Sequence, residues 1–394
     1  MDPTEDAHVQ AIYPGASNAG HLADSASTGG KVEHFAEEDD SYAARGPAWY
    51  FIGRKGLRAG WSVLIFYALY RLLSVILGTL AVTFDPDLTK AAFTAGTVFI
   101  GDLIPLLAIV GAVAVVARLE GRRILDYNLT GARSLIHFLS GSVAGFAALS
   151  LLVGVLYWGG WLHFGAAGLG GAGIFKSGAM WAAAFLVVGL VEEGSFRCYL
   201  QFTFTRGLNL WWALGIIGAV CLDLMLTGKG NGIWGVYVIA ALGLVPCLVL
   251  QLKKTAGSGF WQAAWVTSTL FGFRHTANNG ENWIGIFAVA LIGFVFCVSV
   301  WATGSAWWAI GCHAAWDWAE TYFYGAADSG NVATGHYLTT SPAGAALWSG
   351  GTDGPEGSVL VIPVVLLLMV VVLVFFRREN AVAQNVPVSE LPAG

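Results

Sequence analysis

The chain has 394 residues, of which 56% are hydrophobic and 11% are charged, and its mean hydropathy is +0.65. Soluble domains carry about 25% charged residues, so this composition excludes a single water-soluble core and predicts a polytopic membrane protein. The formal net charge of −5 offers no basic surface for phosphates, so we expect no nucleic-acid partner.

The chain begins with a polar, acidic segment, 1–48, which has no helical or strand period and predicts a disordered cytoplasmic tail. Apolar runs long enough to cross a hydrocarbon layer of ~30 Å then follow one another. The candidate spans are 60–84, 92–117, 136–161, 179–203, 209–226, 231–252, 258–276, 283–303, 305–325 and 357–376. They predict an all-α transmembrane helix bundle of about eight to ten spans.

Basic residues near the span ends predict the orientation. With a cytoplasmic N-terminus, ten alternating spans place every basic cluster in the cytoplasm: Arg54, Lys55 and Arg58; Arg118, Arg122 and Arg123; Arg206; Lys253 and Lys254; Arg377 and Arg378. Single lysines, Lys90 and Lys229, fall in short outer turns. The long outer loops 162–178 and 326–356 contain one Lys and no Arg.

The five cysteines, Cys198, Cys221, Cys247, Cys297 and Cys312, lie inside apolar stretches without a CxxC spacing. This placement predicts buried free thiols and no zinc ribbon or disulfide framework.

Ionisable residues concentrate at three places inside the apolar spans: 191–197, 271–275 and 311–317. Such groups are costly in a membrane and indicate function by default. Three separate spans contribute, which favours a site between the helices of a bundle. An alternative for each group is a structural one, an interhelical ion pair or a packing hydrogen bond.

Helical geometry separates the two glutamates of the first group. Glu193 and Arg197 are i,i+4 neighbours and are expected to pair. Glu192 lies about 100° around the helix and is suited to act as a general base on water. Its structural alternative is an ion pair with Arg71 or Arg274. In the third group, His313 and Asp317 share one helical face, and Glu320 continues that stripe at i+7.

The three groups together resemble the CPBP family of intramembrane proteases, which includes the type II CAAX prenyl endopeptidases. The family motifs EExxxR, FxxxH and Hxxx(N/D) occur here in order as Glu192–Arg197, Phe271–His275 and His313–Asp317. The resemblance covers roughly 179–325. No HExxH, GxGD or GxSxG motif is present, so the usual zinc-protease, aspartyl and serine-hydrolase patterns are missing.

The sequence departs from the family pattern in two ways. The first and second motifs lie further apart than expected, and the excess, about 214–256, predicts an extra pair of membrane helices. The third motif ends in Asp317, where the prenyl endopeptidases typically have Asn. An ionised Asp would repel an oxyanion, so Asp317 is expected to be protonated, to orient His313 or to bind a cation.

The resemblance implies peptide hydrolysis by an activated water. Glu192 and His275 would orient and deprotonate the water, and His313 with Asp317 would stabilise the oxyanion. Glu193 and Arg197 would support the site. The favoured mechanism requires no cofactor. In the alternative mechanism a divalent metal such as zinc is held by Glu192, His275 and His313.

These observations divide the chain into the tail 1–48, N-terminal transmembrane helices in 49–178, a CPBP-like catalytic core in 179–325, an outer loop in 326–356, and the last transmembrane helix with a short tail in 357–394. We expect an endopeptidase of the bacterial inner membrane, with both termini cytoplasmic, acting on a membrane-associated or lipidated, CAAX-like protein. The alternatives are a non-proteolytic immunity protein or scaffold and a proton-coupled transporter. The lipid bilayer and a peptide substrate are the expected partners.

The predicted spans create one geometrical conflict. His275 falls near the outer end of its span, whereas His313 falls nearer the cytoplasmic edge. A shared site therefore requires the seventh span to be tilted, kinked or re-entrant near Gly272, or the span boundaries to differ from those predicted.

Overall fold

The structure is a computed structural model that describes residues 50–53, 56–86, 88, 92–228, 233–254, 257–278 and 280–376. The predicted acidic tail, 1–48, lies outside the described residues. So do several basic residues used for the orientation, namely Arg54, Lys55, Lys90, Lys229, Arg377 and Arg378.

The described chain is helical, and every predicted span coincides with a helix, which confirms the all-α prediction. The helices are α1 Ala59–Phe84, α2 Ala95–Glu120, α3 Ser134–Trp158, α4 Ala172–Gly207, α5 Leu210–Thr227, α6 Ile233–Lys253, α7 Ser258–His275, α8 Trp283–Thr303, α9 Trp307–Asp317, α10 Ala346–Ser349 and α11 Val361–Phe375. Seven of them, α1 to α6 and α8, are long and apolar enough to cross a membrane.

Three of the ten predicted spans correspond to helices that are not both long and apolar enough to cross a membrane, namely α7, α9 and α11. Helix α7 has buried polar side chains, including Gln262, Thr267 and Ser268, which lower its apolar character. Helices α9 and α11 have 11 and 15 residues, fewer than the other helices that coincide with predicted spans. The predicted span 305–325 is therefore corrected: α9 ends at Asp317 and continues as a π-helical turn, Trp318–Phe323.

The two long loops contact each other through an antiparallel strand pair. Strand β3, Leu162–Phe164, pairs with β4, Thr340–Pro342, with His163 opposite Ser341. A second strand pair, β1 Ile52–Gly53 with β2 Gly56–Leu57, precedes α1. The prediction of a loop over 162–178 is wrong at its end, because α4 already begins at Ala172. The paired strands put both loops on one side of the bundle, in agreement with their predicted common side.

Helices α3 and α9 approach so closely that only glycine fits between them. A Cβ atom on Gly141 would lie 2.1 Å from the carbonyl oxygen of Trp308, and one on Gly145 would lie 2.1 Å from that of Cys312. On α9 itself, a Cβ on Gly311 would lie 2.1 Å from the carbonyl oxygen of Phe138. These contacts fix α9 in the centre of the bundle.

The predicted extra helical pair is present as α5 and α6. Ile217 of α5 and Ile239 of α6 are fully buried in one apolar cluster with Ala263 of α7. The pair therefore packs beside the helix that ends in His275. The division of the chain into domains stays a prediction. All five cysteines are free thiols, and four of them are buried, with Cys221 half-buried.

Candidate functional site

A cavity of about 270 Å³ lies between α2, α4, α7, α8, α9, α11 and the loop that precedes α11. The four residues predicted as catalytic, Glu192, His275, His313 and Asp317, all line it. The two residues predicted to support the site, Glu193 and Arg197, are fully buried next to it.

The first motif lies where α4 changes from an α-helix to a π-helix. The α-helical part ends at Glu193, and Gly194–Leu200 forms the π-helical segment. Such bulges are rare and are frequently found at functional sites. The Ser195 hydroxyl bonds the carbonyl of Val191 at 2.7 Å, so it is engaged with its own helix.

His313 connects the first and third motifs. Its Nδ1 lies 2.8 Å from Oε1 of Glu193. Its Nε2 lies 3.7 Å from Oε2 of Glu192 and 3.4 Å from Oδ2 of Asp317. Three carboxylates thus surround one imidazole, which favours a ring that donates from both nitrogens. Glu192 forms no ion pair with Arg71 or Arg274, both of which are exposed.

The Glu193–Arg197 pair forms as predicted. Arg197 Nε lies 3.1 Å from Oε2 of Glu193, and both side chains are fully buried. The guanidinium is covered by aromatic rings, with its Cζ 4.1 Å from the centre of Phe271 and 5.4 Å from that of Phe296. These cation–π contacts stabilise a charge that has one acidic partner among the described residues.

Phe271 connects the second motif to the rest of the site. Its ring centre lies 4.9 Å from that of His275 and 6.0 Å from that of His313. His275 Nδ1 lies 2.9 Å from the Phe271 carbonyl oxygen. A carbonyl only accepts, so Nδ1 is the donor and a neutral ring keeps Nε2 as an acceptor.

The conflict between the depths of the two histidines is resolved by the start of α9. Ser305 and Ala306 are fully buried, and the Ala306 N–H donates to the carbonyl of Asn128 at 2.8 Å. Helix α9 therefore begins inside the protein, in contact with the loop after α2. His275 and His313 line the same cavity, so the different depths implied by the predicted span boundaries do not hold.

The cavity also contains residues that the sequence analysis did not select. Asp102, Asp328 and Glu356 line it, together with Asn278. Asp102 lies within an apolar span, which is the signal that could have identified it. Glu320, expected on the stripe of His313, does not line the cavity and is fully buried. The π-helical turn after Asp317 has more residues per turn, so it rotates Glu320 away from that face.

The donor atoms do not form a ready metal site. Within the part of the chain that the structure describes, no three His, Cys, Asp or Glu side chains are arranged to hold a metal ion. This includes the alternative set Glu192, His275 and His313. The alternative mechanism, in which these three residues hold a metal ion, stays a prediction.

Comparison with known proteins supports the resemblance drawn from the motifs. Residues 247–319 match the family model described as Type II CAAX prenyl endopeptidase Rce1-like. The match contains the second and third motifs and is consistent with the CPBP family, whereas the first motif lies before it. No curated protein and no solved structure matches the chain.

Proposed function

We propose that this multi-pass membrane protein is an intramembrane endopeptidase of the CPBP type that hydrolyses a peptide bond with a glutamate-activated water. The observation that carries the proposal is the convergence of Glu192, His275 and His313 on one cavity, with 3.7 Å between Glu192 and His313. The family match over 247–319 supports the same class of enzyme.

Glu192 is the proposed general base. Its side chain is about one-fifth exposed, at 22%, and it has no Lys or Arg partner among the described residues to neutralise it. In a neutral His275 ring, Nε2 is the acceptor because Nδ1 donates to a carbonyl. A water held by Glu192 and His275 would lose a proton to Glu192 as it attacks the peptide carbonyl. Glu192 would then transfer that proton to the departing amine.

His313 is the proposed oxyanion donor. The tetrahedral intermediate carries a negative oxygen, and a donor already in position stabilises it without reorganisation. Glu193 accepts from Nδ1 and is itself fixed by Arg197, so the N–H at Nε2 is the one that would donate to the oxyanion. Glu193 and Arg197 are therefore positioning residues. Asp317 lies 3.4 Å from Nε2; we propose that it is protonated, because an ionised carboxylate there would repel the oxyanion.

The proposed substrate is a membrane-associated or lipidated protein, because the cavity lies between helices of a membrane-spanning bundle. We further propose a bacterial inner membrane with both termini in the cytoplasm. Basic residues at the C-terminal ends of α2 and α6, such as Arg122, Arg123 and Lys253, support this orientation.

The test compares peptide termini in host cells that express the wild type, Glu192→Gln or Asp223→Asn at matched membrane levels. Asp223 is exposed on α5 and provides an acid-to-amide control away from the cavity. The proposal predicts new termini with the wild type and the control and none with Glu192→Gln. Identical termini in all three would contradict proteolysis and favour an immunity, scaffold or transport function.

A further inference from the structure

The cavity is lined by more carboxylates than the proposed mechanism uses. Asp102, Asp328 and Glu356 line it in addition to Glu192 and Asp317. They come from α2, from the loop after α9 and from the turn before α11, so they surround the space from several sides. The described lining contains no Lys or Arg.

Asp328 and Glu356 have polar partners, and no described Lys or Arg forms an ion pair with either; the only basic side chains in the described lining are His275 and His313. Asp328 accepts a hydrogen bond from the Thr321 hydroxyl at 2.8 Å, and Glu356 accepts one from Trp316 Nε1 at 2.6 Å. Among the described residues, Asp102, Asp328 and Glu356 form no ion pair. Asp102 has a favourable electrostatic interaction with Arg274, which is exposed.

Further acidic groups lie directly behind this wall. Glu320 is fully buried, and both its carboxylate oxygens lack a hydrogen-bond partner. Its electrostatic neighbours are Glu356, Asp328, Asp317 and Asp353, so every one of these interactions is repulsive. Asp353 is 1% exposed and has one unpartnered oxygen. Buried acids without counter-charges are costly unless a cation joins them.

The pKa shifts of the two loop acids are consistent with the absence of a Lys or Arg beside them. Burial raises the pKa of Glu356, and the neighbouring Asp328 and Asp353 raise it further. Burial also raises the pKa of Asp328, although His313 and His275 lower it. A positive group entering the cavity would favour the ionised forms of both.

We infer that the cavity recognises a positively charged side chain, lysine or arginine, close to the scissile bond of the substrate. The wall formed by Asp328 and Glu356 would contact this side chain, while Glu192 and His275 act on the bond. This inference rests on the proposed function, because the catalytic residues define where the scissile bond would lie. Binding of the positive side chain can nevertheless be measured without cleavage. The inference also means that a free C-terminal carboxylate next to the scissile bond is disfavoured by repulsion.

The test uses the full-length Glu192→Gln protein, which would bind substrate without cutting it. The probes are two amphiphilic peptides, capped at both ends, that differ only in a central Lys or Glu. We expect the Lys peptide to bind about tenfold more tightly, and the preference to fall in Asp328→Asn/Glu356→Gln but not in Asp223→Asn. Equal binding of the two peptides, or tighter binding of the Glu peptide, would overturn the inference. The comparison of the Lys and Glu peptides uses only the Glu192→Gln protein. Its outcome therefore does not depend on whether Asp328→Asn/Glu356→Gln folds.

Failure of the proposed function gives a different result. The Lys peptide could bind preferentially while the wild type cuts neither this peptide nor longer peptides that contain it. That result would support recognition of the cation and contradict the proposed proteolysis. If the wild type cuts both peptides equally well, proteolysis stands and the inference about charge fails. A third peptide that ends in a free carboxylate directly after the Lys is expected to bind more weakly than the same peptide with a C-terminal amide, and tighter binding would contradict the account.

Discussion

The imidazole of His313 contacts Glu193 through Nδ1 at 2.8 Å, and the same glutamate pairs with Arg197. The second ring nitrogen faces Glu192 and Asp317. One imidazole thus joins a fully buried ion pair to the cavity. The adjacent residues Glu192 and Glu193 therefore have different surroundings. Glu193 is fully buried and paired with Arg197, whereas Glu192 lines the cavity.

We expect Glu193→Gln and Arg197→Met to lower the stability of the protein as well as its activity. Each variant leaves one buried charge without its partner, which costs about 3–5 kcal/mol. Thermal unfolding in detergent and the yield of folded protein measure the effect. The double variant Glu193→Leu/Arg197→Met removes both charges and should lose less stability than the two single variants added together. Additive losses would contradict the ion pair.

The close approach of α3 and α9 predicts unequal effects for two glycines of the same helix. A Cβ on Gly145 would lie 2.1 Å from the backbone of Cys312, next to His313, whereas nothing lies within 4 Å of a Cβ on Gly154. Gly145→Ala should cost about 1–3 kcal/mol and reduce activity, because α9 must shift. Gly154→Ala should be neutral or stabilising by about 0.5–1 kcal/mol. Unfolding midpoints and cleavage rates of the pair test this; equal behaviour would contradict the packing.

Much of this architecture follows from local sequence. Apolar runs predicted the helices, and the i,i+4 spacing predicted the contact between Glu193 and Arg197, since both features depend only on neighbouring residues. The π-helical turns at Gly194–Leu200 and Trp318–Phe323 do not follow from the sequence, because residue spacing predicts faces only for a regular α-helix. The predicted face of Glu320 is wrong for this reason.

Long-range packing could not be predicted in the same way. The buried start of α9 depends on contacts of Ala306 with the distant Asn128. The positions of Asp328 and Glu356 depend on how the loop after α9 folds back over the bundle, which no spacing in the sequence indicates. Asp102 was identifiable as an acid within an apolar span, but its contact with the cavity was not.

We expect the stability of the loop region to fall as the pH rises from about 4 to 7. Burial raises the pKa of Asp353 from 3.8 to about 7, and Asp328 adds to the shift. An acid with a raised pKa in the folded state retains its proton there after the unfolded chain has lost it, so stability is greatest at low pH and declines through this range. Unfolding midpoints measured from pH 4 to pH 8 should show this decline.

The variant Asp353→Asn should flatten the pH dependence, since it keeps a side-chain oxygen as acceptor for the Asn282 N–H but no longer titrates. The exposed control Asp223→Asn should retain the slope of the wild type. An unchanged slope in Asp353→Asn would show that another group is responsible.

We expect cleavage to persist after the purified protein is treated with a strong chelator. The favoured mechanism uses Glu192 and His275 on water, and the described side chains offer no arranged set of three metal ligands. Elemental analysis should find no stoichiometric zinc. Loss of activity on chelation that zinc restores, together with loss of bound zinc in His313→Ala, would instead support the metalloprotease alternative.

The central claim is that Glu192 activates the water, and the most direct measurement is the cleavage rate of purified Glu192→Gln. The substrate would be a protein identified from its new termini in cells, presented in lipid vesicles, with Asp223→Asn as the control. A glutamine cannot accept the proton, so we predict a loss of about 10²–10⁴-fold with an unchanged unfolding midpoint. Cleavage by Glu192→Gln within tenfold of the wild-type rate would contradict the account.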